Sequence, residues 1–165
     1  MLRRTLLLTP AALLLAGCGF QLRRPPDFAF HSLYTGAPES STLVNELKRQ
    51  LASTDQVQVF TDAKQATSAD VVLDVLTDAR ERVIVGVNAS GQVRELQLRV
   101  RFKFRLRTPR GKVLIPDTEL LLQRDVSYRE AAALAKEAEE ALLYRDMQSD
   151  IVQQLMRRFA AVREL

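Results

Sequence analysis

A chain of 165 residues with a formal net charge of +4 and a pI near 9.6 is long enough for one domain with a real core, and only moderately basic. With no Trp and three Tyr it does not point to nucleic acid, which asks for a larger excess with interleaved surface aromatics. A single cysteine, Cys18, excludes an intramolecular disulfide and a cysteine metal cluster, and a single histidine, His31, leaves little for hydrolytic or metal-dependent chemistry.

The chain opens with MLRRTLLLTPAALLLAGCGF. Arg3 and Arg4 make a positive leader, and Leu6 to Leu15 an apolar run too short to span a bilayer. Leu15, Ala16, Gly17 and Cys18 match the bacterial lipobox, so residues 1–17 read as a lipoprotein signal peptide and Cys18 as the lipidated residue. The alternative is an ordinary signal peptide with a chance cysteine. Gly19 rather than Asp follows Cys18, and the resemblance to bacterial lipoproteins then implies sorting to the outer membrane. One acyl chain holds a protein marginally and two or more hold it stably. Loss of Arg3 and Arg4 on cleavage lowers the net charge from +4 to +2.

Residues 18–27 read as a tether, stiffened by Pro25 and Pro26, and residues 28–165 as a single domain. DFAFHSLYTG predicts a first strand ending at Gly36. Ser40 or Ser41 can cap a helix with a Leu43, Leu47, Leu51 stripe. VQVFTD predicts a short strand, and Val71 to Val87 a long β-branched one with a bulge expected near Asp78. NASGQ and TPRGK predict turns on either side of a strand reaching about Arg107. VLIPDTELLLQRDVSY predicts its partner, with Pro116 marking an edge position or a bulge.

The final segment has no Gly or Pro and predicts a helix of about thirty residues, roughly 45 Å long. Leu134, Ala138, Leu142, Met147, Ile151, Leu155, Phe159 and Val162 hold its period, as a core stripe of which part is free to touch a partner or acyl chains. Acidic residues early and arginines late suit the helix dipole. The expected fold is α+β: two helices packed on one face of a mostly antiparallel sheet of about four to five strands, a two-layer sandwich.

The other sheet face then needs water or a partner, and LQLRVRFKFRLRT, residues 96–108, decides what it carries. Leu96, Leu98, Val100, Phe102, Phe104 and Leu106 alternate with Arg99, Arg101, Lys103, Arg105 and Arg107, the last five about 7 Å apart along one face. A three-residue loop at Pro109, Arg110 and Gly111 places Lys103 opposite Asp117 and Arg101 opposite Glu119, with Val100 against Leu120 and Leu98 against Leu122. Arg99, Arg105 and Arg107 then have no acid directly across. Each like-charge contact costs only roughly 0.6 kcal/mol in water before screening, so a solvated face is tolerable. Burial of the row in an apolar groove is excluded, whereas a polar lumen or a phosphorylated ligand is permitted.

Two segments carry a family resemblance. Cys18, Gly19, Phe20, Gln21, Leu22 and Arg23 resemble the mature start of the LPS-assembly lipoproteins called LptE, and ALAKE, DM and QQLMRR in the last segment are similar to the family's C-terminal block. Between them the likeness is one of pattern, a long hairpin with a Pro-Arg-Gly turn; Arg24 departs from the Gly that many members carry. The resemblance implies an outer-membrane lipoprotein on the periplasmic side that plugs the LptD β-barrel and binds lipopolysaccharide. By position it implies ligand contacts at Arg110, Lys112 and Lys136; the alternative for Arg110 in a turn and Lys136 near a helix start is an ordinary solvated residue. It implies no enzymatic activity, no cofactor, no metal and no nucleic acid.

No catalytic motif competes. Gly-x-Ser-x-Gly and Gly-rich phosphate loops are absent. His31 reads as a surface or satisfied histidine, and Glu137, Glu139 and Glu140 as a solvated helix face. The rival readings are a periplasm-facing lipid carrier, which needs an apolar cavity between helices and sheet, and a regulatory lipoprotein with no barrel partner, for which the tether is short.

Overall fold

The computed structural model describes residues 26–127 and 133–165. The expected signal peptide, Cys18 and most of the expected tether lie outside the described residues, as does the side chain of Leu134.

Phe28 and Phe30 are buried ahead of the first strand. The ladder begins only at Ser32, because the Asp70 carboxylate accepts the N–H groups of His31 and Ser32 at 2.8 and 2.9 Å. The predicted first strand is thereby shortened to β1, Ser32–Thr35. Helix α1, Thr42–Ala52, starts at Ser41, whose hydroxyl accepts the Val44 N–H at 3.1 Å. Strand β2, Gln58–Phe60, and a 3-10 turn at Ala63–Gln65 lead into β3, Val71–Val87. Strands β4, Val93–Arg107, and β5, Val113–Ser127, complete a meander, and α2, Ala133–Ala160, closes the chain.

The sheet order is β2-β1-β3-β4-β5. β1 runs parallel to β2 and β3, and the three long strands are antiparallel. Both meander turns have one construction. In each, a glycine with positive φ (Gly91 at 79°, Gly111 at 94°) closes a three-residue loop, and a polar side chain, Asn88 or Thr108, accepts the N–H of the residue four positions on.

Both helices cover one face, giving the α+β two-layer arrangement expected. Leu96, Leu98, Val100, Phe102, Phe104 and Leu106 are each at most 1% exposed. Against them pack Leu43, Leu47 and Leu51 of α1 and Met147, Ile151, Leu155 and Phe159 of α2. Phe159 meets Phe30 and Phe104 edge-on at 6.2 and 6.1 Å. The space between helices and sheet is filled by these side chains, which counts against the lipid-carrier reading.

Two details differ from expectation. On α2 the stripe is buried from Met147 onward, but Leu142 is 57% exposed and Ala138 is exposed. The reason is phase: Leu143, four residues before Met147, continues the stripe, and Leu142 lies about 100° away. In the β4–β5 pair the predicted register holds at the turn, where Arg107 faces Val113. Beyond it, irregularities on either side of Leu106 add two residues to β5, so that Lys103 faces Glu119, Arg101 faces Leu121, Val100 faces Leu122 and Leu98 faces Arg124. Pro116, which has no N–H to give the ladder, lies in this stretch of the edge strand. A shift of two residues preserves which side chains face which way.

Candidate interaction surface

The sheet face away from the helices carries the five basic residues of β4, each partly exposed. Their partners come from both neighbouring strands. Arg107 Nε donates to Asp74 Oδ2 at 2.7 Å, and Arg105 reaches the same oxygen at 3.2 Å. Arg105 also lies 3.7 Å from Asp117, which meets Lys103 at 3.6 Å. Arg101 bridges Glu81 on β3 at 3.3 Å and Glu119 on β5 at 2.9 Å. The pairs Lys103–Asp117 and Arg101–Glu119 expected from the sequence thus form, as diagonal contacts rather than direct ones.

Arg99 is different. Among the described residues it has no carboxylate within 4 Å; it donates to Gln97 Oε1 at 2.7 Å, and Gln97 in turn donates to Asp125 at 2.8 Å. Asp74, Glu81, Asp117 and Glu119 therefore pair with Arg101, Lys103, Arg105 and Arg107, and Asp125 is linked to Arg99 only through Gln97. The expectation that Arg105 and Arg107 lack an acid is overturned by β3, which supplies Asp74. A bulge between Val75 and Thr77 brings this about, close to its expected place: it turns Glu81 onto the open face and Asp78, Arg80 and Arg82 toward the helices. Burial raises the pKa of the Asp74 carboxyl, but the hydrogen bonds and charges of Arg107 and then Arg105 outweigh it, and the net shift is downward. The Asp74 hydrogen bond raises Arg107 in turn.

On the covered side the same bulge builds a clasp that sequence reasoning missed. Arg80 donates to Thr42 Oγ1 at 2.6 Å and Gln148 Oε1 at 2.5 Å, and lies over the Tyr144 ring at 5.6 Å. Gln148, 7% exposed, donates to Glu46 at 2.7 Å. Tyr144 donates to the Glu81 carbonyl at 2.7 Å, and Ser41 to Asp78 at 2.6 Å. The polar letters in the middle of a long strand were the available signal.

The three residues implied for ligand binding are not brought together. Arg110 and Lys112 line one surface depression of about 440 Å³ with Thr108, Pro109, Asp70 and Leu165. Lys112 Nζ donates to the Leu165 carbonyl at 2.9 Å. Lys136 pairs with Glu139 at 2.6 Å near the start of α2, roughly 36 Å of helix before Ala160. His31 is exposed. Among the described residues no cluster of His, Cys, Asp and Glu could hold a metal ion.

A model of the LptE family, described as lipopolysaccharide-assembly, matches residues 30–159. The chain is 30% identical over 168 residues to the LPS-assembly lipoprotein LptE of Pectobacterium atrosepticum, covering 96% of this chain and 85% of that protein. Its fold is similar to the solution structure of lipoprotein B from Nitrosomonas europaea, with a TM-score of 0.72 and 33% identity over 87% of this chain and 91% of that one. The rare lipoprotein B of Shewanella oneidensis shares the fold at a TM-score of 0.64 and 22% identity, over 79% of this chain and 95% of that one.

Proposed function

The chain belongs to the LptE lipopolysaccharide-assembly family, and on that premise we propose that it plugs and supports an LptD-type outer-membrane β-barrel and binds lipopolysaccharide during its assembly at the outer-membrane surface. The family's role is non-enzymatic, that of an envelope lipoprotein in lipopolysaccharide assembly. In this reading Cys18 carries the lipid that holds the protein on the periplasmic side of the outer membrane.

One observation carries the barrel reading: the open sheet face is polar, charged and balanced. A barrel lumen is itself polar, and a large barrel needs something to fill it. A face on which Asp74, Glu81, Asp117 and Glu119 pair with four of the five cations can enter such a lumen without burying those charges uncompensated. Arg99, held only by Gln97, keeps donors for a partner. For lipopolysaccharide phosphates, Arg110 and Lys112 act on one headgroup at the β4–β5 turn, and Lys136 serves a separate contact at the far end.

The test is a pull-down. The lipoprotein, tagged at its C-terminus, is extracted from outer membranes in mild detergent and its companions identified. A stoichiometric large β-barrel protein is expected. Recovery of the lipoprotein alone, from membranes where the barrel is abundant, overturns the barrel reading.

A further inference from the structure

Besides Arg99 on β4, positive charge without an acidic partner gathers where α2 ends. Arg157, Arg158 and Arg163 are exposed, and among the described residues none has a carboxylate within ion-pair distance. Between Arg157 and Arg163 opens a shallow depression of about 480 Å³, with Met156, Ala160 and Ala161 lining it and Pro26 at its side. An apolar floor rimmed by two guanidiniums suits an amphiphile carrying a phosphate.

Pro26 also ties this end of the molecule to Cys18. Seven residues lie between them, and the eight Cα-to-Cα steps reach at most about 28 Å when fully extended. Three arginines outweigh Glu164 and the half-charge of the helix C-terminus.

We propose that this end of α2 docks on the anionic phospholipid leaflet that carries the acyl chains of Cys18, with a headgroup phosphate between Arg157 and Arg163 and the adjoining methylenes against Met156 and Ala160. The proposal rests on the lipidation of Cys18 put forward above. The acyl chains hold the protein to the bilayer, and the arginines fix which end of the domain faces it; a polybasic patch is a standard second signal beside an acyl anchor.

The experiment uses the full chain carrying Ala161→Cys, purified from membranes, with acylation read by intact mass. Cys18 is the chain's sole native cysteine, and the diacylglyceryl thioether blocks its sulfur, so the new thiol alone takes a spin label. The protein is reconstituted in vesicles of phosphatidylcholine, or of phosphatidylcholine mixed with phosphatidylglycerol, and accessibility to a water-soluble nickel complex is measured. The label should be shielded in the mixed vesicles and exposed in phosphatidylcholine alone. Arg157→Gln, Arg158→Gln and Arg163→Gln together should restore exposure, each arginine changing the docked-to-free ratio on the order of fivefold. An acylated wild-type background whose label is equally exposed in both vesicles overturns the docking and leaves lipidation standing. An unmodified Cys18 in membrane-purified protein overturns both.

Discussion

Arg107 grips Asp74 across the β3–β4 pair with two bonds, Nε to Oδ2 at 2.7 Å and Nη2 to Oδ1 at 3.2 Å. Asp74 holds two cations at once, since Arg105 bonds it as well. Its pKa lies below the ordinary 3.8, burial being outweighed by Arg107 and Arg105. A carboxyl depressed in the folded state contributes stability above its unfolded pKa, and that contribution is lost as pH falls through the folded value. Asp74→Asn is therefore expected to cost about 1 to 2 kcal/mol at neutral pH and to flatten the loss of stability below pH 3.8. Urea unfolding of both proteins across the acid range checks this. An unchanged acid slope in the variant would mean that Asp74 is not coupled to its arginines.

The clasp around Gln148 joins α1, α2 and β3 through the side chains of Thr42, Glu46, Arg80 and Gln148. Gln148→Leu keeps the volume but leaves Arg80 and Glu46 each one partner short, an expected cost of about 2 kcal/mol. A double-mutant cycle with Thr42→Val should show non-additivity, because Thr42 Oγ1 donates to Gln148 at 2.7 Å and accepts from Arg80. Strict additivity would contradict the network.

Two apolar residues of α2 should separate sharply. Phe159, fully buried against Phe30 and Phe104, should lose about 3 to 5 kcal/mol on replacement by Ala. Leu142→Ala, on an exposed side chain, should change stability by no more than about 0.5 kcal/mol. Denaturant midpoints decide, and equal losses would disprove the helix phase described.

Charge reversal along β4 should distinguish partner contact from fold. Arg99→Glu disturbs no ion pair within the domain and should leave thermal stability nearly unchanged while lowering co-purification with the barrel. Arg107→Glu places a carboxylate beside Asp74 and should destabilise the domain itself. Arg105→Glu should behave like Arg107→Glu. If Arg99→Glu leaves both stability and co-purification untouched, the open face is simply solvated.

Much of the molecule was legible in the residue order because it depends on local periods. Alternation from Leu96 to Arg107 determined which side of β4 is core, and no register shift by two can undo that. Ser41 as helix cap, the Pro109–Gly111 loop and the α+β class follow from equally local rules. The charge balance of the open face was not local. It depends on a bulge between Val75 and Thr77, which exchanges the two faces of β3 and carries Glu81 to Arg101 and Arg80 to Gln148. It depends also on β3 and β5 flanking β4 at once, so that Asp74 and Glu119 arrive from opposite sides. The exposure of Arg157 and Arg163 beside Pro26 has the same origin, since Phe30 and Phe159 must pack together before the chain's entry and the end of α2 can meet. Periodicity assigns faces, but only packing between distant segments decides which charges meet and which stay free.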